Sequence, residues 1–367
     1  MKNLFFTLAS FAALVPAALS QCFPDTMNFS PITSIGTPQV QFTSCPSQAD
    51  GPRIDKLGLS TFDWWYFDAV STDGSQAFTV IFFTSSAIGF SFDFFSAVDP
   101  LNVWVFATFG DGSPASVFPV PAVSVTTTTN GDGASGDWHG SGISFKGESD
   151  LSSYVVKLDN PVIGLTGTFT LKSRGPGHYN CGPLGPNQDE QSLPHIGWVN
   201  VMPGADAVVD VKVLGKPLKF EGHGYHDKNW GDIPFITALK SWYWGHASVG
   251  GYDLVFFDMI DPQGVNKVGG YALKDGAVVA QTCTTGVKIR PIDTPYPPTI
   301  FTAVPKSLTL NMTLNDGTHL DAVLTQVTTQ LNIGIYVRWI GTIEATIGGL
   351  TSTGSALWEQ FAVSPTP

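Results

Sequence analysis

The sequence predicts an all-β protein of two domains, built as closed barrels or sandwiches. Three observations carry that reading. Across 367 residues no window places apolar residues at the i, i+3, i+4, i+7 spacing of an amphipathic helix. Short runs rich in Val, Ile, Thr and aromatic residues recur instead along the whole chain. Between them fall Asp73-Gly74, Asn130-Gly131, Asp275-Gly276 and Asp316-Gly317, dipeptides suited to tight hairpin turns. With 43% hydrophobic and 13% charged residues, the chain can be neither disordered nor a coiled coil. Its net charge of −12 excludes a binder of nucleic-acid backbones or of anionic membrane surfaces, which both need basic residues.

In chain order, Lys2, the apolar run from Leu4 to Leu14 and the small-x-small Ala18-Leu19-Ser20 predict a signal peptide over residues 1–20. The address is the secretory pathway. Strands are predicted over residues 61–70, 77–83, 89–95, 104–109, 154–158 and 166–172. Others follow over 207–213, 242–248, 252–260, 307–314, 321–328, 336–345 and 355–363. The most apolar run after the leader, Ala77 to Phe92, ends at Asp93 and is too short to span a bilayer. The strand-poor segment 175–193 predicts a lid or a disordered insert. Gly215-Lys216-Pro217 marks the expected boundary between domains 21–215 and 216–367.

Cys22, Cys45, Cys181 and Cys283 all follow the leader, and their spacing matches no zinc pattern. Disulfides are expected, with three pairings open. A local Cys22–Cys45 bond would leave Cys181–Cys283 to tie distant segments. Asn28 and Asn311 head glycosylation sequons.

The usual catalytic fingerprints are missing: no G-x-S-x-G, G-x-G-x-x-G, phosphate-binding loop or H-E-x-x-H occurs. His223 and His226 alone are too few to carry a metal site. Three dense blocks remain. In Asp63-Trp64-Trp65-Tyr66-Phe67-Asp68, strand alternation puts Trp64, Tyr66 and Asp68 on one face and Asp63, Trp65 and Phe67 on the other. The second block is Gly222-His223-Gly224-Tyr225-His226-Asp227-Lys228-Asn229-Trp230-Gly231. The third, Ser241-Trp242-Tyr243-Trp244-Gly245-His246, puts Trp242, Trp244 and His246 on one face. Core packing accounts for any one of these residues. Together they point to an aromatic cavity with a few polar anchors, the anatomy of a small-molecule site. Arg338 inside an apolar strand, and Glu359 on the face of Leu357 and Phe361, need partners if buried. Arg338 or His246 would serve Glu359.

The Trp64–Asp68 block, the Gly222–Gly231 block and the late Trp358-Glu359-Gln360-Phe361 strand resemble the lipocalin-like proteins of the hydroxyneurosporene synthase (carotenoid 1,2-hydratase) type. Within that group the chain is most similar to the fungal Diels–Alderase-like pericyclases, and among these to secreted hetero-Diels–Alderases of tropolone–sesquiterpene biosynthesis. The resemblance covers most of residues 55–365. It implies an N-terminal calycin-type β-sandwich packed on a C-terminal β-barrel. It implies no cofactor and two small apolar partners, a quinone-methide heterodiene and a terpene alkene. Lys228 departs from the pattern, which expects histidine there.

Pericyclic chemistry needs no nucleophile, metal or redox carrier, so the missing fingerprints fit it. Trp64, Trp65, Trp242, Trp244, Trp339 and Phe361 are the expected walls, with Glu359 among them. Arg338, His246 and Tyr66 are the expected catalytic donors. His226, Asp227 and Trp230 are expected to brace the domain junction. Two other readings compete: a secreted carbohydrate lyase or hydrolase using carboxylates such as Asp68 or Glu359, and a non-catalytic carrier of an apolar metabolite.

Overall fold

The computed structural model describes residues 22–90 and 99–367. The leader, and most of the strand expected over 89–95, lie outside the described residues. Two antiparallel sheets make up the rest.

At the centre of the first sheet runs Phe62–Ser71, paired with Ala77–Ser85 on one side and Lys216–Gly231 on the other. All ten of its residues are buried. That double-sided burial is why its sequence is rich in aromatic and apolar residues at nearly every position rather than alternating, with Asp63 and Asp68 buried against Lys228 and His246. From Lys216–Gly231 the sheet continues through Ile196–Val213, Leu165–Ser173 and Ser153–Asn160 to Ser124–Asn130. It curls until its far strands cover its own centre. Trp138 donates its indole N–H to the Phe83 carbonyl at 2.9 Å across this fold. The enclosed core holds Trp65, Phe67, Phe82, Trp138, Phe145 and Tyr154.

Nine strands form the second sheet, running from Ala277–Thr282 at one edge to Val287–Pro291 at the other. It rolls into a near-closed barrel around Leu254, Phe256, Leu310, Trp339 and Trp358. Where its edges meet, a Cβ on Gly270 would collide with Val287. Only glycine lets the barrel close there.

The expected turns are present, with Gly74 at φ 72° and Gly131 at φ 60° between paired strands. Two expectations change. Gly215, the expected boundary, is a hairpin tip within the first sheet, because Ile196–Val213 and Lys216–Gly231 pair along their whole length. The chain crosses to the second sheet only through residues 232–240. The Gly222–Gly231 block is therefore a central strand of the first sheet. Its glycines disguise it, yet they are needed: a Cβ at Gly222 would strike the Val70 carbonyl, and one at Gly224 would strike Leu171.

Both disulfides form, Cys22–Cys45 and Cys181–Cys283. The segment 175–193 is ordered rather than disordered: its short strands His178–Tyr179, Gly182–Pro183 and Gln191–Leu193 pair with each other or with Ile196–Val213, and the second disulfide pins it to the second sheet. There His178 stacks on Tyr271 at 3.7 Å, and burial lowers its pKa to about 4.

Lys228 points into the first core. Its ammonium lies 2.7 Å from Asp63, donates to the Gly51 carbonyl at 2.8 Å, and sits 4.3 Å over the Trp65 ring. Burial lowers its pKa to about 8, against the pull of Asp63. Lys228→Met would leave Asp63 buried without its cation. Breaking one partner of such a pair costs about 3–5 kcal/mol. Chemical denaturation should show that loss, with part regained in Asp63→Asn/Lys228→Met.

Candidate active site

Between the sheets lies a narrow, aromatic-lined cavity. Two facing grids of side chains build it, each set by strand register. On the first sheet, Asn229, Trp64 and Phe83 stand in one cross-strand row, and Asp227, Tyr66, Ile81 and Trp104 in the next. On the second sheet, Trp244, Glu359 and Arg338 form one row, and Trp242, Phe361 and Tyr336 the other. Phe90 and Phe257 complete the lining. Period-two alternation presents every grid residue to the same side.

Arg338 and Glu359 are directly opposed in an antiparallel pair, their side chains 2.7 Å apart. Tyr336 donates to the same Glu359 oxygen at 2.6 Å, and Arg338 also reaches the Tyr336 hydroxyl. The guanidinium lies 5.1 Å from the Tyr66 ring. Burial raises the Glu359 pKa, and Arg338 and Tyr336 oppose that rise. Burial lowers the Arg338 pKa, but the neighbouring Tyr336, Tyr66 and Glu359 outweigh it and keep the guanidinium charged.

Asp227 is the second polar centre. Trp198 and Tyr225 each donate to its Oδ2 at 2.7 Å. Burial pushes its pKa up to about 8 despite those two bonds. At neutral pH it is a carboxylic acid able to give a proton. Among the described residues, none accepts a hydrogen bond from the Tyr66 hydroxyl or from the indole N–H of Trp104 or Trp242. Each of these donors is buried in a residue that lines the cavity. A buried donor without an acceptor is costly, and a ligand oxygen would satisfy it.

The structure brings together Trp64, Tyr66, Trp242, Trp244, Arg338, Glu359 and Phe361 as expected. Arg338, not His246, is the partner of Glu359. It also moves five residues away from their expected roles. Trp65 faces the first core, donating to the Asp50 carbonyl at 2.9 Å, because it alternates with Trp64. Trp339 alternates with Arg338 and stacks on Trp358 inside the barrel. His246 stands one layer behind the wall, stacked on Tyr225 at 4.6 Å and held 2.9 Å from Asp68. That hydrogen bond ties the second sheet to the first. His226 and Trp230 point into the first core, His226 stacking on Phe67 and Trp230 donating to the Gln41 carbonyl. Of the three junction residues, Asp227 alone lies between the sheets, and it belongs to the cavity.

Ile81, Phe83, Phe90, Trp104, Asn229, Phe257 and Tyr336 escaped the sequence reading. Two signals were available: Asn229 and Tyr336 sit two residues from Asp227 and Arg338, hence on the same faces. Among the described residues, no three His, Cys, Asp or Glu side chains gather as a metal site. No helix among them is long and apolar enough to cross a membrane.

Residues 20–290 match the Diels-Alderase-like family, and the chain belongs to it. It is 34% identical over 335 residues to the quinolone epoxide rearrangement protein penF of Penicillium thymicola, covering 88% of this chain and 91% of that one. It is 26% identical to the Diels-Alderase cheD of Chaetomium globosum, over 56% of this chain and 48% of that one. The crystal structure of CghA with Sch210972 shares the fold, with a TM-score of 0.76 at 18% identity over 94% of this chain and 100% of that one.

Proposed function

We propose that the chain is a cofactor-independent pericyclase. In this reading it joins a quinone-methide heterodiene to a terpene alkene by a hetero-Diels–Alder cycloaddition of the tropolone–sesquiterpene kind. The observation that carries the reading is the aromatic cavity whose buried polar groups without a partner are donors. Such a cavity suits two apolar partners, one of which bears an oxygen.

Holding both partners in the reactive pose removes most of the entropic cost of their meeting. Two σ bonds form and no atom is lost, so neither nucleophile nor electron carrier is required. As the diene oxygen gathers charge, Arg338 and Tyr66 donate to it, and these bonds strengthen toward the transition state. Asp227 serves an earlier step. A hydroxymethyl precursor loses water when the acid protonates the departing hydroxyl, and the precursor's own enolic O–H returns a proton to Asp227. The family likeness and the similarity to cheD support this reading. The similarity to penF favours a second one, in which the same acid opens an epoxide and the cavity steers the rearrangement.

The test is product ratio and enantiomeric excess, with and without the protein, on a terpene plus a quinone-methide precursor and separately on a quinolone epoxide. Faster formation of one enantiomer from the first pair supports the cycloaddition. Turnover of the epoxide alone moves the assignment to the second reading. Tight binding with unchanged, racemic product would mark a carrier. Trp242→Ala should erode enantiomeric excess at least as much as rate, because the Trp242 ring forms a large part of the wall that holds the reactive pose. Chiral chromatography of the product reads this directly.

We also propose passage through the secretory pathway, with glycans on Asn28 and Asn311. Both asparagines are exposed on strands, and both disulfides suit an oxidising compartment. Intact mass of the secreted protein should fall on deglycosylation.

A further inference from the structure

Phe235 opens a four-residue helix, Phe235–Ala238, in the segment that carries the chain from one sheet to the other. Its backbone is anchored to the first sheet: Phe235 donates its N–H to the Gly89 carbonyl at 2.8 Å. Gly89 is itself fixed, since its N–H donates to Ser86 Oγ at 2.9 Å and a Cβ there would collide with the Thr61 carbonyl. Ser60 adds a bond to the Asp232 carbonyl at 2.8 Å.

Four cavity walls converge on its ring. Trp64 meets it from the first sheet and Phe90 from the turn that follows Ala77–Ser85, with ring centres 5.7 and 5.3 Å away. Trp242 and Phe361 meet it from the second, both at 5.1 Å. All four contacts are edge-to-face, and the ring is fully buried. Phe235 therefore fills the space behind the aromatic end of the cavity, at the seam where both grids meet. The polar groups stand one row further in: Arg338 and Glu359 beside the Trp242–Phe361 row on the second sheet, and Tyr66 and Asp227 beside the Trp64 row on the first. An occupant that presents its oxygen to them would direct hydrocarbon toward the Phe235 end.

We propose that Phe235 is a specificity-determining residue that sets how long an isoprenoid hydrocarbon the cavity accepts. This rests on reading the cavity as the substrate site. A smaller side chain would let Trp64, Phe90, Trp242 and Phe361 draw back and deepen the cavity.

The experiment is a fluorescence titration of the full, oxidised protein with linear isoprenoid alcohols of ten, fifteen and twenty carbons. Wild type, Phe235→Ala and Phe235→Leu are compared, with circular dichroism as the folding check. Phe235→Ala should shift the ratio of twenty-carbon to ten-carbon affinity by about tenfold or more toward the longer probe, the scale of one or two methylenes in an apolar pocket. Phe235→Leu should shift it less, in the same direction, and answers the question if the alanine variant does not fold. An equal change for all three probes, no change, or a wild type that binds none of them overturns the proposal. The readout is independent of turnover. A wild type that discriminates the probes but gives racemic cycloadduct sinks the catalytic reading alone.

Discussion

Arg338→Met should lower the cycloaddition rate by about 10²–10³ while leaving the aromatic cavity in place. The guanidinium faces the cavity, is held by Glu359 and Tyr336, and lies 5.1 Å from the Tyr66 ring. Methionine keeps much of the side chain's length but donates nothing. The substitution also leaves Glu359 buried beside Tyr336 alone, so stability should fall by about 3–5 kcal/mol. The double variant Arg338→Met/Glu359→Gln separates the two effects. It removes the stranded carboxylate and should recover stability without recovering rate. Denaturation midpoints and initial rates on the same preparations decide the matter. A well-folded double variant at wild-type rate would remove Arg338 from the chemistry.

Asp227→Asn should be nearly as severe, about 10²–10⁴ in the step that loses water. Asparagine retains an oxygen for Trp198 and Tyr225, so the fold should hold. What disappears is the proton. Because burial places the Asp227 pKa at about 8, wild-type activity should be full in mildly acidic and neutral buffer and decline as pH rises through about 8. The variant should show a low, flat profile over the same range. Stability carries a linked signature. The folded pKa lies above the ordinary carboxylate value of 3.8, so the neutral acid favours the folded state. That contribution is fully present below about 4 and is lost progressively as pH rises through about 8. Burial raises the Glu359 carboxyl too, in the same direction. Melting temperature against pH should fall less steeply in Asp227→Asn than in wild type.

The β-class, the hairpin turns and several cavity walls were legible in the sequence because each is local. Alternation groups Trp242 with Trp244, and Tyr66 with Trp64, without any tertiary knowledge. The same rule separates Trp65 from Trp64 and Trp339 from Arg338; crediting clusters of Trp over alternation misplaced both. The pairing register of distant strands could not be read. Asp227 stands opposite Tyr66, and Glu359 opposite Arg338, only because strands far apart in sequence align at those residues. The late domain boundary has a physical origin as well. Glycines at positions 222, 224 and 231 look like a loop, yet serve a strand crowded on both sides by neighbouring backbone and rings.

The Cys181–Cys283 bond spans 102 residues, and the crossing segment 232–240 lies within that span. The two sheets are thus joined at two points, by peptide and by sulfur, and form a closed covalent frame. Each sheet sees the other at an effective concentration fixed by the frame rather than by free diffusion. In the chain-entropy picture, closing a loop of this size favours the folded state by about 4–5 kcal/mol. The frame also limits separation: with both links intact, the two sheets cannot come fully apart even when the packing between them loosens.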